Sequence, residues 1–328
     1  MTMQNKYKLL FILFVIPSIL SAQKYSNEFL AIGVGAKNFS MGNAVIASVD
    51  DVTAGYWNPA GLNKLSSNAE LSLMHAEYFA GIASYDYGAF AKKLKDSSVF
   101  AFSFIRFGID DIQNTLFLYG ESGLDAPNYD NITSFSVADN AFLFSYARNI
   151  GVPNLTVGAN FKIIRRKAGS FANAWGFGID AAANYKFNEW NFALVARDLT
   201  GTFNAWTYSL TDEEKDVLLI TGNELPENAI EVTKPKLILG VSRYFTINSK
   251  MFLEPEIDFE FTTDGQRNVL VSSSWFNMSA QVGVDYTYKL NQNNSLYFRL
   301  GVNNFQKEKT GIYPPRAKNI NQKSKLPW

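Results

Sequence analysis

The sequence predicts an all-β fold, a transmembrane antiparallel β-barrel with a plug or hatch segment at its N-terminal end, on three observations. Beyond about residue 69 apolar and polar residues alternate with period two, as strand side chains on opposite faces do. The runs last about 9 to 13 residues, the length a tilted strand needs to cross a bilayer, where the average soluble strand has about 5 or 6. Connections are short and long by turns, the pattern of tight periplasmic turns and longer external loops.

Taken in order, residues 1–22 read as a secretory signal. Lys6 and Lys8 precede an apolar run from Leu9 to Ile16, and Ser21 and Ala22 supply small residues at the cut. The run is shorter than the roughly 20 apolar residues a membrane-spanning helix needs, which favours a cleaved signal over an anchor. Without a cysteine there is nothing there to acylate.

Residues 23–66 read as the hatch, rich in small residues that permit close backbone packing inside a lumen. Asp50 or Asp51 is placed to cap a short helix, and Asn58 before Pro59 favours a turn. The Gly33–Gly35 pair is not a dinucleotide fingerprint, because Asn38 stands where the third glycine belongs and no strand precedes it.

Residues 67–305 read as the barrel, with 11 strands beginning near residues 70, 82, 98, 139, 155, 174, 190, 236, 251, 279 and 295. Leu155, Val157, Ala159, Phe161 and Ile163 alternate with Thr156, Gly158, Asn160 and Lys162, and Leu253, Ile257, Phe259 and Phe261 with Glu254, Glu256, Asp258 and Glu260. Alternation alone does not separate a soluble barrel, apolar within, from a membrane barrel, apolar without. Strand length decides for the membrane, as do glycines and charges too dense for a packed core and aromatics at run ends. The aromatics read as interfacial girdles are Tyr85, Tyr87, Phe107, Tyr146, Trp175, Tyr185, Trp190, Tyr244, Tyr286 and Tyr288. The longer links are read at Gly108 to Val137, Lys167 to Asn173, Thr200 to Lys234 and Thr262 to Asn277. Their acids (Asp110, Asp111, Glu121, Asp125 and Asp130, then Asp212, Glu213, Glu214 and Asp216) lack EF-hand spacing and read as solvated charge rather than a Ca²⁺ site. Residues 306–328 read as a polar tail, in which Pro314 and Pro315 are unsuited to a strand.

Composition excludes several functions. The 328 residues are 47% hydrophobic and 15% aromatic but 18% charged, against roughly 25% charged in soluble domains, so much of the surface is expected to face something other than water. The 30 basic and 30 acidic residues cancel, and no basic face marks a nucleic-acid partner. With no cysteine and one histidine, His75, thiolate chemistry and cysteine metal centres are impossible, and a catalytic triad would depend on His75 alone. Its neighbours show no nucleophile elbow, and it reads as a strand histidine, hydrogen-bonded or solvated. No enzymatic activity, cofactor or metal is expected.

The segment Ala36 to Ala44, followed by Asp50-Asp51 and by Trp57-Asn58-Pro59-Ala60-Gly61-Leu62, resembles the PorV/PorQ family of Bacteroidetes outer-membrane proteins, relatives of the FadL-like barrels. The likeness continues through Leu73 to Ile82, Ala174 to Gly178 and Thr202 to Trp206. It implies an outer-membrane barrel of 14 strands with the N-terminal segment in or under the lumen. It also implies a component of the type IX secretion system, with the lipid bilayer, the translocon and secreted cargo domains as partners; the alternative is a FadL-like channel for a hydrophobic ligand. A third possibility, an outer-membrane hydrolase, would need His75. The candidate ligand or partner region is Gly33, Gly35, Lys37, Met41, Gly42, Asp50, Asp51, Trp57, Asn58, Pro59, Ala60 and Gly61. Lys37 stands where the family usually has arginine, which keeps the charge but loses the planar fork. Eleven strands fall about three short of the family and are odd in number, so truncation, divergence or completion by another chain is expected.

Overall fold

The computed structural model describes residues 26–120, 126–265, 267–273, 275–292 and 294–306; the signal, the tail beyond Gln306, and the loop acids Glu121 and Asp125 lie outside them. The hatch contains two short helices, α1 (Ala36–Ser40) and α2 (Ala54–Trp57), the second continued by a 3-10 turn, Pro59–Lys64. The wall follows as β1 (Ala69–Tyr78), β2 (Ala83–Lys93), β3 (Val99–Asn114), β4 (Thr133–Asn149), β5 (Leu155–Ala168), β6 (Ala172–Phe187) and β7 (Trp190–Arg197). An excursion of β8 (Thr202–Tyr208), helix α3 (Asp212–Ile220) and β9 (Ala229–Thr233) then precedes β10 (Lys236–Arg243) and the two-residue β11 (Phe245–Thr246). The chain completes the sheet with β12 (Met251–Thr262), β13 (Val271–Ser272), β14 (Asn277–Lys289) and β15 (Ser295–Val302).

The sheet is antiparallel throughout, in the order β1 to β7, then β10, β12, β14 and β15, with β8 and β9 extending β6 on one rim. Those eleven long strands correspond one for one to the expected starts, β4 beginning earlier, at Thr133. Among the described residues β1 pairs only with β2 and β15 only with β14, so the sheet keeps two edges.

Which face meets lipid is settled by burial. Phe90, Phe100, Phe144, Phe161, Trp175, Phe177, Ile179, Phe192, Leu239, Ile257 and Phe259 all point outward and are exposed. Their strand neighbours Ser103, Ser145, Asn160, Lys162, Asp180, Asn184, Glu256 and Asp258 point inward and are buried. A soluble barrel requires the reverse; an apolar exterior around a polar interior is a membrane wall.

Three girdle assignments are corrected. Tyr85 and Tyr87 face inward and are buried, and Phe107 packs with them, because the β1–β4 side of the lumen forms an apolar core with Val34, Val49, Val52, Tyr56, Trp57 and Leu62 of the hatch. The loops also carry more structure than the pattern suggested. β3 runs on to Asn114 past a bulge between Ile109 and Ile112, and β5 and β6 are joined by a tight turn rather than a longer link. Asp212, Glu213 and Glu214 form the first turn of α3, where Thr211 and Glu214 make a reciprocal capping box and the acids complement the helix dipole.

Candidate functional site

The hatch lies across the lumen as short helical turns joined by irregular stretches, and the buried backbone groups that those turns leave unpaired must find partners elsewhere. The wall supplies them, acceptors on one side and donors on the other. On β12 two adjacent inward carboxylates take four successive hatch amides. Asp258 Oδ2 accepts from Val45 N at 2.8 Å and Ile46 N at 3.1 Å, while Glu256 accepts from Ala47 N at 2.5 Å and Ser48 N at 3.1 Å.

Across the lumen the C-terminal carbonyls of α2 meet donors. Asn160 Nδ2 donates to Gly55 O at 2.9 Å, Ser145 Oγ to the same oxygen at 3.3 Å, and Arg197 Nη2 to Tyr56 O at 3.0 Å and Trp57 O at 3.3 Å. The Arg197 guanidinium also stacks over the Tyr56 and Trp57 rings at 4.8 and 5.6 Å. A cation placed on the last carbonyls of a helix is favoured by the helix dipole, and four residues are too few for α2 to persist without such support. Arg197 is followed by a buried ion cluster in which Lys162 Nζ pairs with Asp180 at 2.8 Å and with Asp198.

Asn58 joins the two halves. Fully buried, it donates from Nδ2 to Ile46 O and to Asn184 Oδ1, each at 2.6 Å, and accepts from Ala60 N at 3.0 Å as the cap of the 3-10 turn. Pro59 supplies the fixed φ that suits the first position of such a turn. Pro59 and Ala60 then press so closely on β5 that a Cβ at Gly158 would lie 2.4 Å from Ala60 N. Asp51 takes the turn-capping role, accepting from Thr53 N at 2.8 Å, whereas Asp50 is an ion-pair partner, 2.7 Å from Lys37 Nζ. That single-point contact needs no guanidinium fork.

The remaining motif residues tie the hatch to the edges of the sheet. Gly42, at φ 62°, packs on β15, where a Cβ would meet Val302 N at 2.6 Å, and Met41 lies against Gly301 and Gly283. Gly35 N reaches Met74 Sδ on β1 at 3.3 Å, Trp57 Nε1 donates to Val34 O at 2.9 Å, Gly33 abuts the rings of Phe39 and Trp57, and Gly61 sits on Val49. The twelve motif residues thus share one plug but touch different strands, Asn58 to Ala60 on β5 and β6, Met41 and Gly42 on β14 and β15. Sequence reasoning missed the wall partners of the hatch as a whole: Glu256, Asp258, Asn160, Asn184 and Arg197. The signal was the density of acids and amides at inward positions, legible as polarity but silent about a partner. His75 lies outward on β1, with Nδ1 2.7 Å from Asp86 Oδ1, as a hydrogen-bonded strand histidine.

Among the described residues, a cavity opens on each side of the plug. The one toward the longer loops, about 860 Å³, has Leu30, Ile32, Phe39, Tyr56 and Trp57 around its floor and the paired charges Lys162, Asp180, Lys236, Glu260, Asp264 and Arg267 on its walls. The other, about 550 Å³, opens among the short turns and is lined by Ser48, Asp50, Lys64, Asn184 and Glu254.

No family model matches the chain, and no curated protein matches it. Among solved structures it is similar to the Pseudomonas putida toluene transporter TodX, at 12% identity over 81% of this chain and 82% of that one with a TM-score of 0.48. It is similar also to the Ralstonia pickettii toluene transporter TbuX, at 13% identity over 82% and 87% with a TM-score of 0.44. A third is a Pseudomonas aeruginosa FadL homologue, at 11% identity over 82% and 80% with a TM-score of 0.47.

Proposed function

We propose that the chain is an outer-membrane channel whose hatch gates the passage of hydrophobic small molecules that carry a polar group. The observation that carries this is the hatch itself, seated across the lumen between two cavities and held by side chains rather than by a continuous ladder. An apolar body fits the floor at Phe39 and Trp57, and a polar end fits the charged walls, where Lys162 pairs with Asp180 and Lys236 with Glu260. The shorter turns then face the periplasm and the longer loops the exterior.

A second reading, a component of the type IX secretion system, draws on one observation. Tyr129, Ile230 and Trp275 stand exposed on the long-loop side, Trp275 at 84%. Solvated apolar groups of this size suit a protein partner. Deleting the gene and measuring both secreted proteins and uptake of hydrophobic compounds separates the two. Lost uptake with normal secretion supports the channel; lost secretion with normal uptake overturns it.

A further inference from the structure

The outward face is not uniformly apolar, and the register shows where it changes. One outward row across the first strands reads Leu73, Gly88, Phe104, Phe142, Ile163 and Phe177. The next row toward the longer loops reads His75, Asp86, Arg106, Asn140, Arg165 and Trp175, and the row beyond it includes Lys167 and Asn173. On β5 the outward residues from Leu155 to Ile163 are all apolar, about 20 Å of height at a rise near 3.3 Å per residue and a tilt near 40°, close to the roughly 25 Å apolar band of such barrels. Arg165 and Trp175 therefore stand at the margin of that band, at the level of headgroups.

Cations in this zone differ in what neutralises them. Arg106 has Asp86 at 3.5 Å and Asp110 at 3.8 Å. Arg165 and Lys167 have no carboxylate within ion-pair distance among the described residues. Arg165 is nevertheless held in place. Its Nη1 donates to Asn173 Oδ1 at 3.0 Å and to the carbonyls of Arg166 and Ala174 at 3.3 Å, and its guanidinium stacks over the Trp175 ring at 4.9 Å. Every one of those bonds uses Nη1, so the Nε–Nη2 edge, the edge that matches two oxygens of a phosphate, is left unengaged. Two residues along the same strand face, Lys167 adds an exposed ammonium.

We propose that Arg165 and Lys167 form a docking site on the outer wall for the phosphorylated headgroup of a glycolipid in the leaflet on the long-loop side. The Arg165 fork takes one phosphate bidentately, Lys167 adds a point charge, and Trp175 carries the apolar margin beneath. The site rests on the membrane reading given above.

The test uses the full chain. Flotation with phosphatidylcholine vesicles first checks insertion, and a chain that does not float overturns the membrane reading together with the site. The floated chain, in detergent, is then titrated with bisphosphorylated lipid A, with the same lipid dephosphorylated, and with inorganic phosphate, using native mass spectrometry to count bound lipid. The expected result is at least tenfold tighter binding of the phosphorylated lipid, lost in the double variant Arg165→Ala, Lys167→Ala and only partly kept by Arg165→Lys. Equal binding of the two lipids, or a preference that survives the double variant, overturns the site while leaving the membrane reading intact. Inorganic phosphate that displaces the lipid at equal concentration overturns the lipid assignment.

Discussion

Glu256 and Asp258 both hold hatch amides, yet their amide variants should behave differently. Glu256 spends one oxygen on Ala47 N and the other on Ser48 N. Glu256→Gln keeps a single acceptor and turns an NH2 donor toward the second N–H, so one charge-assisted bond is lost and a buried donor is orphaned. Asp258 receives both of its amides on Oδ2, and its buried Oδ1 has no hydrogen-bond partner. Asp258→Asn can keep both bonds and place its NH2 at the idle position. A hydrogen bond to a charged group contributes about 1.5–3 kcal/mol, and removing one of two neighbouring buried carboxylates returns part of that, leaving about 2 kcal/mol for Glu256→Gln. That corresponds to a roughly 30-fold rise in the open population of the hatch. For Asp258→Asn the loss is about 1 kcal/mol or less, a change of about fivefold at most. Hydrogen exchange at the amides of residues 45–48, followed in the intact chain in detergent, measures both. Equal effects of the two variants, or unchanged exchange in Glu256→Gln, would refute the latch.

Other substitutions probe the rest of the seat. Asn58→Ala removes the bonds to Ile46, Asn184 and Ala60 and should lower stability by about 2–4 kcal/mol, read from the unfolding midpoint in detergent, with Asn58→Asp close behind because it loses the donor. Gly158→Val overpacks the contact with Pro59 and Ala60, at about 1–3 kcal/mol or more, and should expel the hatch while the wall persists, giving larger conductance in planar bilayers. At the turn between β2 and β3, hydrogen bonds from the hydroxyl and amide of Ser98 hold the Asp96 carboxyl below its ordinary value. Its contribution is present at neutral pH and fades as the solution is acidified through the depressed value; Ser98→Ala should move the Asp96 titration upward, as measured by NMR.

The wall was legible because lipid on one side and a polar lumen on the other impose a strict period of two, and that period survives bulges and uneven loop lengths. Tyr85, Tyr87 and Phe107 were misplaced for a definite reason. The pattern distinguishes faces but not solvents, and the inward face of β1–β3 is apolar wherever the hatch covers it. Helix α3 was hidden in a segment whose acids resembled solvated loop charge until the spacing of Thr211 and Glu214 is taken as a capping box. The contacts of Asn58 with Asn184 and of Ile46 with Asp258 join residues more than a hundred positions apart, and no local pattern encodes such a pairing.

The hatch also bears on the two edges that the sheet keeps among the described residues. β1 and β15 both run from the short-turn rim toward the longer loops, so they cannot pair antiparallel with each other. Only an odd number of strands between them, the first running back toward the short turns, satisfies both. Unpaired N–H and C=O groups in a bilayer core cost several kcal/mol each, so those positions demand partners. The hatch meets both edges from within, through Met41 and Gly42 on β15 and through Gly35 and Val52 on Met74 and Glu70 of β1. One segment thereby ties the two edges together from within the lumen, and Glu256 and Asp258 on β12 give it a third support across the sheet.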